Sequence, residues 1–177
     1  MCTVKFKLSV ALIGTCCLLH TVNLWADQRL GIGQALDART LSGWDIDVDP
    51  SGEGLPSGSG SSLKGAEIYS QKCQACHGEN GTGGAANKLT GGTGSLTTSA
   101  PLKSIGSFWP YATTLFDYIR RAMPLNAPQS LTYDEVYALT AYLLNINGVI
   151  DNTKVIDASN LAKIKMPNTN GFIPVID

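Results

Sequence analysis

The sequence Cys73-Gln74-Ala75-Cys76-His77 determines how the rest of the chain is interpreted. Two cysteines separated by two residues, with a histidine directly after the second, form the pattern at which haem is attached covalently. In this pattern the two thiols add to the haem vinyl groups, and the adjacent imidazole becomes the proximal ligand of the iron. The motif therefore predicts one haem c, covalently bound through Cys73 and Cys76 and ligated by His77.

Other interpretations of the two cysteines explain less of the sequence. A structural zinc site needs four ligands, and the exported part of the chain has too few Cys and His residues to supply them. A thioredoxin-type redox pair is expected in a βαβ setting, which the sequence does not show. A simple Cys73–Cys76 disulfide would leave His77 without a role.

The first 26 residues have the pattern of a signal peptide. Lys5 and Lys7 precede an almost wholly apolar run at 8–19, and Leu24-Trp25-Ala26 comes before a polar stretch. This arrangement is typical of a secretory leader, here 1–26, and predicts export to the periplasm. The alternative is an uncleaved anchor, but the run is shorter than the ~20 residues that span a membrane. We therefore expect no membrane span after cleavage, which also removes the cysteines and the histidine of the leader.

Composition excludes several classes of protein. The chain has 177 residues, a formal charge of −1 and 15% charged residues. This balance does not fit a highly charged disordered chain, and it provides no basic excess for nucleic-acid binding. The exported part is divided into an N-terminal arm with a Gly/Ser/Pro-rich linker (27–62), a haem domain (63–149) and a C-terminal tail (150–177). The linker stretch 50–62 is predicted to be flexible from its composition.

Helical signals surround the motif. Helices are predicted from about Gly65 to Cys73 and from about Pro110 to Ala122. Thr132 and Glu135 form a capping box that begins a third helix. Strand-like alternation is scarce, and 78–106 shows almost no periodicity. Together these signals predict a small all-α fold of three to five helices, with long loops around a haem that supplies much of their core.

The sixth iron position distinguishes electron transfer from ligand chemistry. Beyond the leader the sequence contains two methionines, Met123 and Met166, and no histidine besides His77. A methionine thioether favours the ferrous state and suits an electron carrier. Met123 precedes the last helix of the haem domain and is the predicted ligand, whereas Met166 is the reserve candidate. Met123 could also simply pack in the interior, and an open sixth site would indicate a haem sensor.

The order of these features resembles class I cytochromes c. Shared features are Gly65-x-x-x-Tyr69, C-x-x-C-H, Met123-Pro124 and the helical sequence Ala141-Tyr142-Leu143. The resemblance implies that Gly65, Tyr69 and Tyr142 form the crossing of the first and last helices. One departure is that the family usually has a proline soon after the motif, whose carbonyl binds the proximal histidine. Here the next proline is Pro101, so the carbonyl that would orient His77 is not identified by the sequence.

A longer resemblance narrows the family. The run 106–124 (GSFWPYATTLFDYIRRAMP), the glycine-rich 91–94, the arm motif 43–48 and Met166-Pro167-Asn168 are similar to SoxD-type cytochrome subunits of sulfane dehydrogenases. Haem subunits of sulfite dehydrogenases are a related group. The resemblance implies a partner subunit with a molybdenum cofactor that oxidises sulfane sulfur. This chain would accept the electrons and pass them to another cytochrome c. A free diffusing electron carrier is the alternative.

Two further interpretations concern partners and haem contacts. Arg120 lies just before Met123 and could bind a haem propionate, or it could be a solvated charge. The arm carries Trp44, Ile46 and Val48, an apolar set suited to docking on another subunit. The alternative is that the arm folds back on its own haem domain.

Overall fold

The computed structural model describes residues 33–173, so the predicted leader lies outside the described residues. The chain is divided into two units, Met1–Ser42 and Gly43–Asp177. In the described part of the first unit, 33–42, a short helix α1 spans Ala38–Ser42. Asp37 begins it, because the Asp37 carboxylate accepts the Thr40 N–H at 2.7 Å.

Four helices form the framework of the second unit. They are α2 (Ser62–Lys72), α3 (Gln74–His77), α4 (Ala112–Ala122) and α5 (Tyr133–Ile146). The capping box predicted for the last helix is confirmed: the Glu135 N–H donates to Thr132 Oγ1 and the Thr132 N–H to Glu135 Oε2. The Ser61 hydroxyl caps α2 in the same way, by accepting the Lys64 N–H. The three predicted helices are present, with ends shifted by a few residues.

Helices α2 and α5 cross in direct backbone contact. A Cβ atom on Gly65 would lie 1.9 Å from the carbonyl oxygen of Ala138, so no residue larger than glycine fits there. One turn later the Tyr69 and Tyr142 rings meet at 5.1 Å between centroids. The crossing implied by the family resemblance is confirmed. It positions the C-terminal end of α2, where the C-x-x-C-H motif begins.

A two-stranded antiparallel sheet joins the predicted linker to the tail. Strand β1 (Ser59–Ser61) pairs with β2 (Val155–Asp157), with Gly60 opposite Ile156. A Cβ atom on Gly60 would lie 2.1 Å from the Ala138 backbone nitrogen, so β1 packs directly on α5. The prediction of a flexible linker was therefore wrong for its last residues. Gly and Ser are small enough to let β1 approach the helix closely. Composition alone does not distinguish this use of small residues from a flexible linker.

The tail completes the hydrophobic core. Ile156, Leu161 and Met166 are almost fully buried, together with α5 residues such as Val136 and Leu144. Within the described residues the fold is thus five α-helices, three short 3₁₀ turns and one small sheet, a small helical fold with little sheet. No helix in 33–173 is long and apolar enough to cross a membrane.

Candidate functional site

The motif cysteines and histidine lie on a single helical turn. The Cys73 N–H donates to Tyr69 O at 2.9 Å, which ends α2. The Cys73 carbonyl then accepts the N–H groups of Cys76 at 3.1 Å and His77 at 3.0 Å, and so forms α3. Neither thiol is in a disulfide. The turn therefore presents two free thiols and an imidazole from one short segment of backbone.

The His77 ring is oriented by a backbone carbonyl. Its Nδ1 atom lies 3.1 Å from Asn87 O. Because a carbonyl oxygen only accepts hydrogen bonds, Nδ1 carries the proton, and Nε2 keeps its lone pair for a metal. The role that a proline carbonyl usually has in the family is thus taken here by Asn87. The sequence contains no signal for this choice, because any residue can offer its carbonyl.

The loop after the motif is ordered by its own hydrogen bonds. Gly83 donates to His77 O at 2.8 Å, and Ala86 donates to Cys76 O at 2.9 Å. The Tyr69 hydroxyl donates to Gly78 O at 2.9 Å and connects the loop to α2. These bonds bring Asn87 back to the imidazole. The stretch 78–106 lacks periodicity, as predicted, but it is held by specific turns, which a periodicity argument does not detect.

Burial governs the chemistry of the first cysteine. Desolvation raises the pKa of the Cys73 thiol to about 11. At neutral pH this thiol is protonated in the haem-free chain and is a poor thiolate nucleophile or zinc ligand. Within 33–173 no group of three or more His, Cys, Asp or Glu side chains is placed to hold a metal ion.

The two methionines have very different surroundings. Met123 follows α4 directly, its N–H donates to Ile119 O at 3.1 Å, and its side chain is half-buried against the edge of the core. Met166 is only 1% exposed, inside the core that the tail completes. A residue that binds iron must face the space that the haem takes. Met123 keeps exposed surface for this, whereas the surface of Met166 is already covered by protein.

Arg120 has partners other than a propionate. Its Nη1 donates to the carbonyl of Ile46 at 2.9 Å, and its guanidinium carbon lies 5.0 Å from the centre of the Tyr133 ring. The propionate contact of Arg120 stays a prediction. The neighbouring Arg121 pairs with Asp117 on the same helix.

The donor set fits a covalently bound haem. Two free thiols, an imidazole with an available Nε2 and a half-buried methionine are the groups that such a haem requires. Half-buried apolar side chains also pack against the core cluster, among them Leu89, Trp109, Ile146 and Val149. When bound, the haem would supply one-electron exchange between ferric and ferrous iron. The protein's part is to attach it, orient it and tune its potential.

Comparison with known proteins identifies the family. Residues 62–147 match the Cytochrome c family. One chain of the crystal structure of the sulfane dehydrogenase SoxCD from Paracoccus pantotrophus is 40% identical, with a TM-score of 0.78 over 83% of this chain and 73% of that chain. The chain belongs to the cytochrome c family. It is a haem c electron-transfer protein, with the haem covalently bound. No curated protein matches the sequence.

Proposed function

We propose that this protein is the monohaem electron-transfer subunit of a periplasmic, molybdenum-dependent sulfane dehydrogenase. The observation that carries the proposal is the similarity to a chain of SoxCD, which extends beyond the haem domain over 83% of the sequence. A match limited to the haem domain would suit any cytochrome c. Similarity that also includes the flanking segments favours a protein built for the same kind of complex.

The proposed haem site consists of four side chains. Cys73 and Cys76 form the thioethers, His77 Nε2 binds the iron, and Met123 supplies the sixth ligand. The 3.1 Å contact from His77 Nδ1 to Asn87 O supports the proximal assignment, because such a bond sets both the tautomer and the ring plane. The exposed surface of Met123 and the burial of Met166 support the distal assignment. A methionine-ligated iron suits a carrier because the thioether stabilises the ferrous state.

The role in the complex is to receive and pass on single electrons. A partner subunit would oxidise sulfane sulfur at its molybdenum cofactor and release electrons. This chain would accept them one at a time and then reduce another cytochrome c. His77 and Met123 would together hold the iron, so the proposed role does not require a substrate to bind the metal. The predicted signal peptide would direct the protein to the periplasm.

The arm offers one clear candidate anchor for the partner. Val48 is 6% exposed and packs in the protein's own core, and the Ile46 carbonyl is bonded to Arg120. Trp44, by contrast, is 82% exposed. Of the three arm residues predicted to dock on a partner, Trp44 is therefore the one that we retain. Ile46 and Val48 contact the protein's own haem domain, as the fold-back alternative describes. A solvated tryptophan next to an anchored segment suits an interface hot spot.

The test is co-purification followed by metal analysis. The tagged chain is expressed in its native host, captured from the periplasmic extract and assayed for molybdenum and for reduction of its haem by sulfane sulfur. We expect molybdenum near one equivalent per haem. The Trp44→Ala variant should weaken capture by ~2 kcal/mol of binding or more, whereas the control Leu63→Ala, also an exposed apolar residue, should not.

Two outcomes would redirect the assignment. A haem-loaded protein that captures no molybdenum yet is reduced by several donors would indicate a free electron carrier. Capture of a molybdenum subunit that responds to sulfite and not to sulfane sulfur would indicate a sulfite dehydrogenase. Both outcomes leave the haem assignment intact, so the partner is tested separately from the cofactor.

A further inference from the structure

Residues 46–48 of the arm lie against the last turns of α4. The Val48 N–H donates to Asp117 Oδ1 at 3.0 Å, and Arg120 Nη1 donates to Ile46 O at 2.9 Å. Asp117 is only 6% exposed, and its other carboxylate oxygen pairs with Arg121. A buried carboxylate must have its hydrogen bonds satisfied, so the contact between the Val48 N–H and Asp117 is a required part of the fold.

Arg120 also reaches the start of the next helix. Its guanidinium stacks on the Tyr133 ring at 5.0 Å, and its Nη2 lies 3.5 Å from the Tyr133 hydroxyl. Residue 120 is in the last turn of α4, and residue 133 is the first of α5. The loop between these helices, 123–132, begins with Met123. One side chain therefore connects the two ends of the methionine loop and ties both to the arm.

We propose that Arg120 is a positioning residue for Met123, which closes the base of the 123–132 loop and holds the thioether at the haem. The inference rests on the proposed assignment of Met123 as the sixth ligand. The planar guanidinium is suited to the task because it can donate in its plane to a carbonyl and stack on an aromatic ring with its face. The lysine ammonium is a compact point charge without a planar face or fork, so it does not reproduce the two contacts together. The reduction potential and the strength of the methionine–iron bond thus depend on the arm as well as on the haem domain.

The neighbouring Arg121 provides a matched control. Arg120→Gln and Arg121→Gln each remove one positive charge beside Met123. Among residues 33–173, however, Arg121 bonds to Asp117 within α4 and not to the arm backbone or to Tyr133. If charge alone mattered, both variants would shift the reduction potential equally. If positioning matters, only Arg120→Gln should loosen the methionine. Tyr133→Leu, which changes no charge, should act in the same direction as Arg120→Gln.

The experiment uses the full-length, haem-loaded protein and measures three quantities. These are the far-red absorption band of the methionine–ferric-iron bond, the rate at which added imidazole displaces the methionine, and the reduction potential. Arg120→Gln should speed imidazole binding about tenfold, the effect of losing one hydrogen bond from a charged donor. Arg120→Lys should not rescue it. Arg121→Gln leaves both Arg120 contacts in place and should stay within about twofold of the parent rate, as expected of an i,i+4 pair within one helix whose arginine is half-exposed.

The outcomes distinguish the positioning role of Arg120 from the assignment of Met123 as the sixth ligand. If Met123→Ala leaves the far-red band intact, Met123 is not the ligand and the proposed haem site is wrong. If Met123→Ala abolishes the band but Arg120→Gln matches Arg121→Gln in all three measurements, Met123 remains the assigned ligand. The positioning role of Arg120 is then overturned. Global unfolding in urea is followed in parallel. Faster imidazole binding only in proportion to lost global stability would also overturn the inference, because Arg120 would then be merely structural.

Discussion

Replacing Gly65 by alanine tests the helix crossing that supports the haem motif. The added Cβ atom would lie 1.9 Å from Ala138 O, and 2.6 Å from both Ala138 C and Tyr142 Cβ. Two of these three contacts are with backbone, so no side-chain rotation can relieve them. Helices α2 and α5 must move apart by about 1 Å to restore ordinary contact, and a well-packed interior does not absorb this freely.

The expected loss in the free energy of unfolding is the difference between two opposing effects of the Gly65→Ala change. Alanine is favoured over glycine by ~1 kcal/mol in a helix interior. Overpacking a close contact costs ~1–3 kcal/mol or more, and the upper end applies where rigid backbone is struck. Separation of the helices by about 1 Å also weakens dispersion contacts along the interface. We therefore expect Gly65→Ala to lower the free energy of unfolding by ~2–3 kcal/mol.

Urea unfolding of the haem-loaded protein, followed by far-ultraviolet circular dichroism, measures this loss. The control is Ser70→Ala on the exposed side of the same helix, which should change stability by less than ~0.5 kcal/mol. The slope of the transition should be unchanged, since both variants expose similar surface on unfolding. A Gly65→Ala protein as stable as the parent would refute the close approach of α2 to α5.

Three further predictions concern ligation, attachment and pH. Met166→Ala should keep the far-red methionine–iron band but lose ~2–5 kcal/mol of stability as a buried large-to-small change; loss of the band would transfer the sixth ligand to the tail. Cys73→Ala or Cys76→Ala should leave at most one thioether, and the double variant should bind no haem after denaturation on a gel; covalent haem in the double variant would sink the attachment site. The hydrogen bond from Lys72, at 2.6 Å, lowers the pKa of Glu135 below its ordinary value of 4.5. Its stabilisation is therefore present above about 4.5 and lost as the pH falls through the folded-state value. Glu135→Gln, which retains the capping box, should reduce this acid-side loss of stability, and an unchanged pH profile would contradict the pairing.

The helices and the haem motif were predictable because they depend on local rules. A capping box at Thr132 and Glu135 satisfies helix ends through residues three apart, so it is visible in one short window. The C-x-x-C-H spacing likewise needs only one turn of backbone. Gly65 and Tyr69 were assigned to the crossing through the family resemblance, and the close contact with Ala138 explains why that position needs glycine.

Contacts between distant segments were decided by the tertiary structure alone. The sequence did not predict that Asn87 would orient His77, because every residue carries the same carbonyl. It described 50–62 as a flexible linker because a segment rich in glycine and serine has the same composition whether it is solvated or packed. Gly60 is in fact packed against helix α5. It favoured Met123 over Met166 from their order in the chain, but it gave no information on their burial, which depends on where the tail folds. Sequence determined the chemistry that this chain carries, which resides in a few side chains at fixed spacing. Tertiary structure determined which of those side chains remain accessible, because burial depends on residues far apart in the chain.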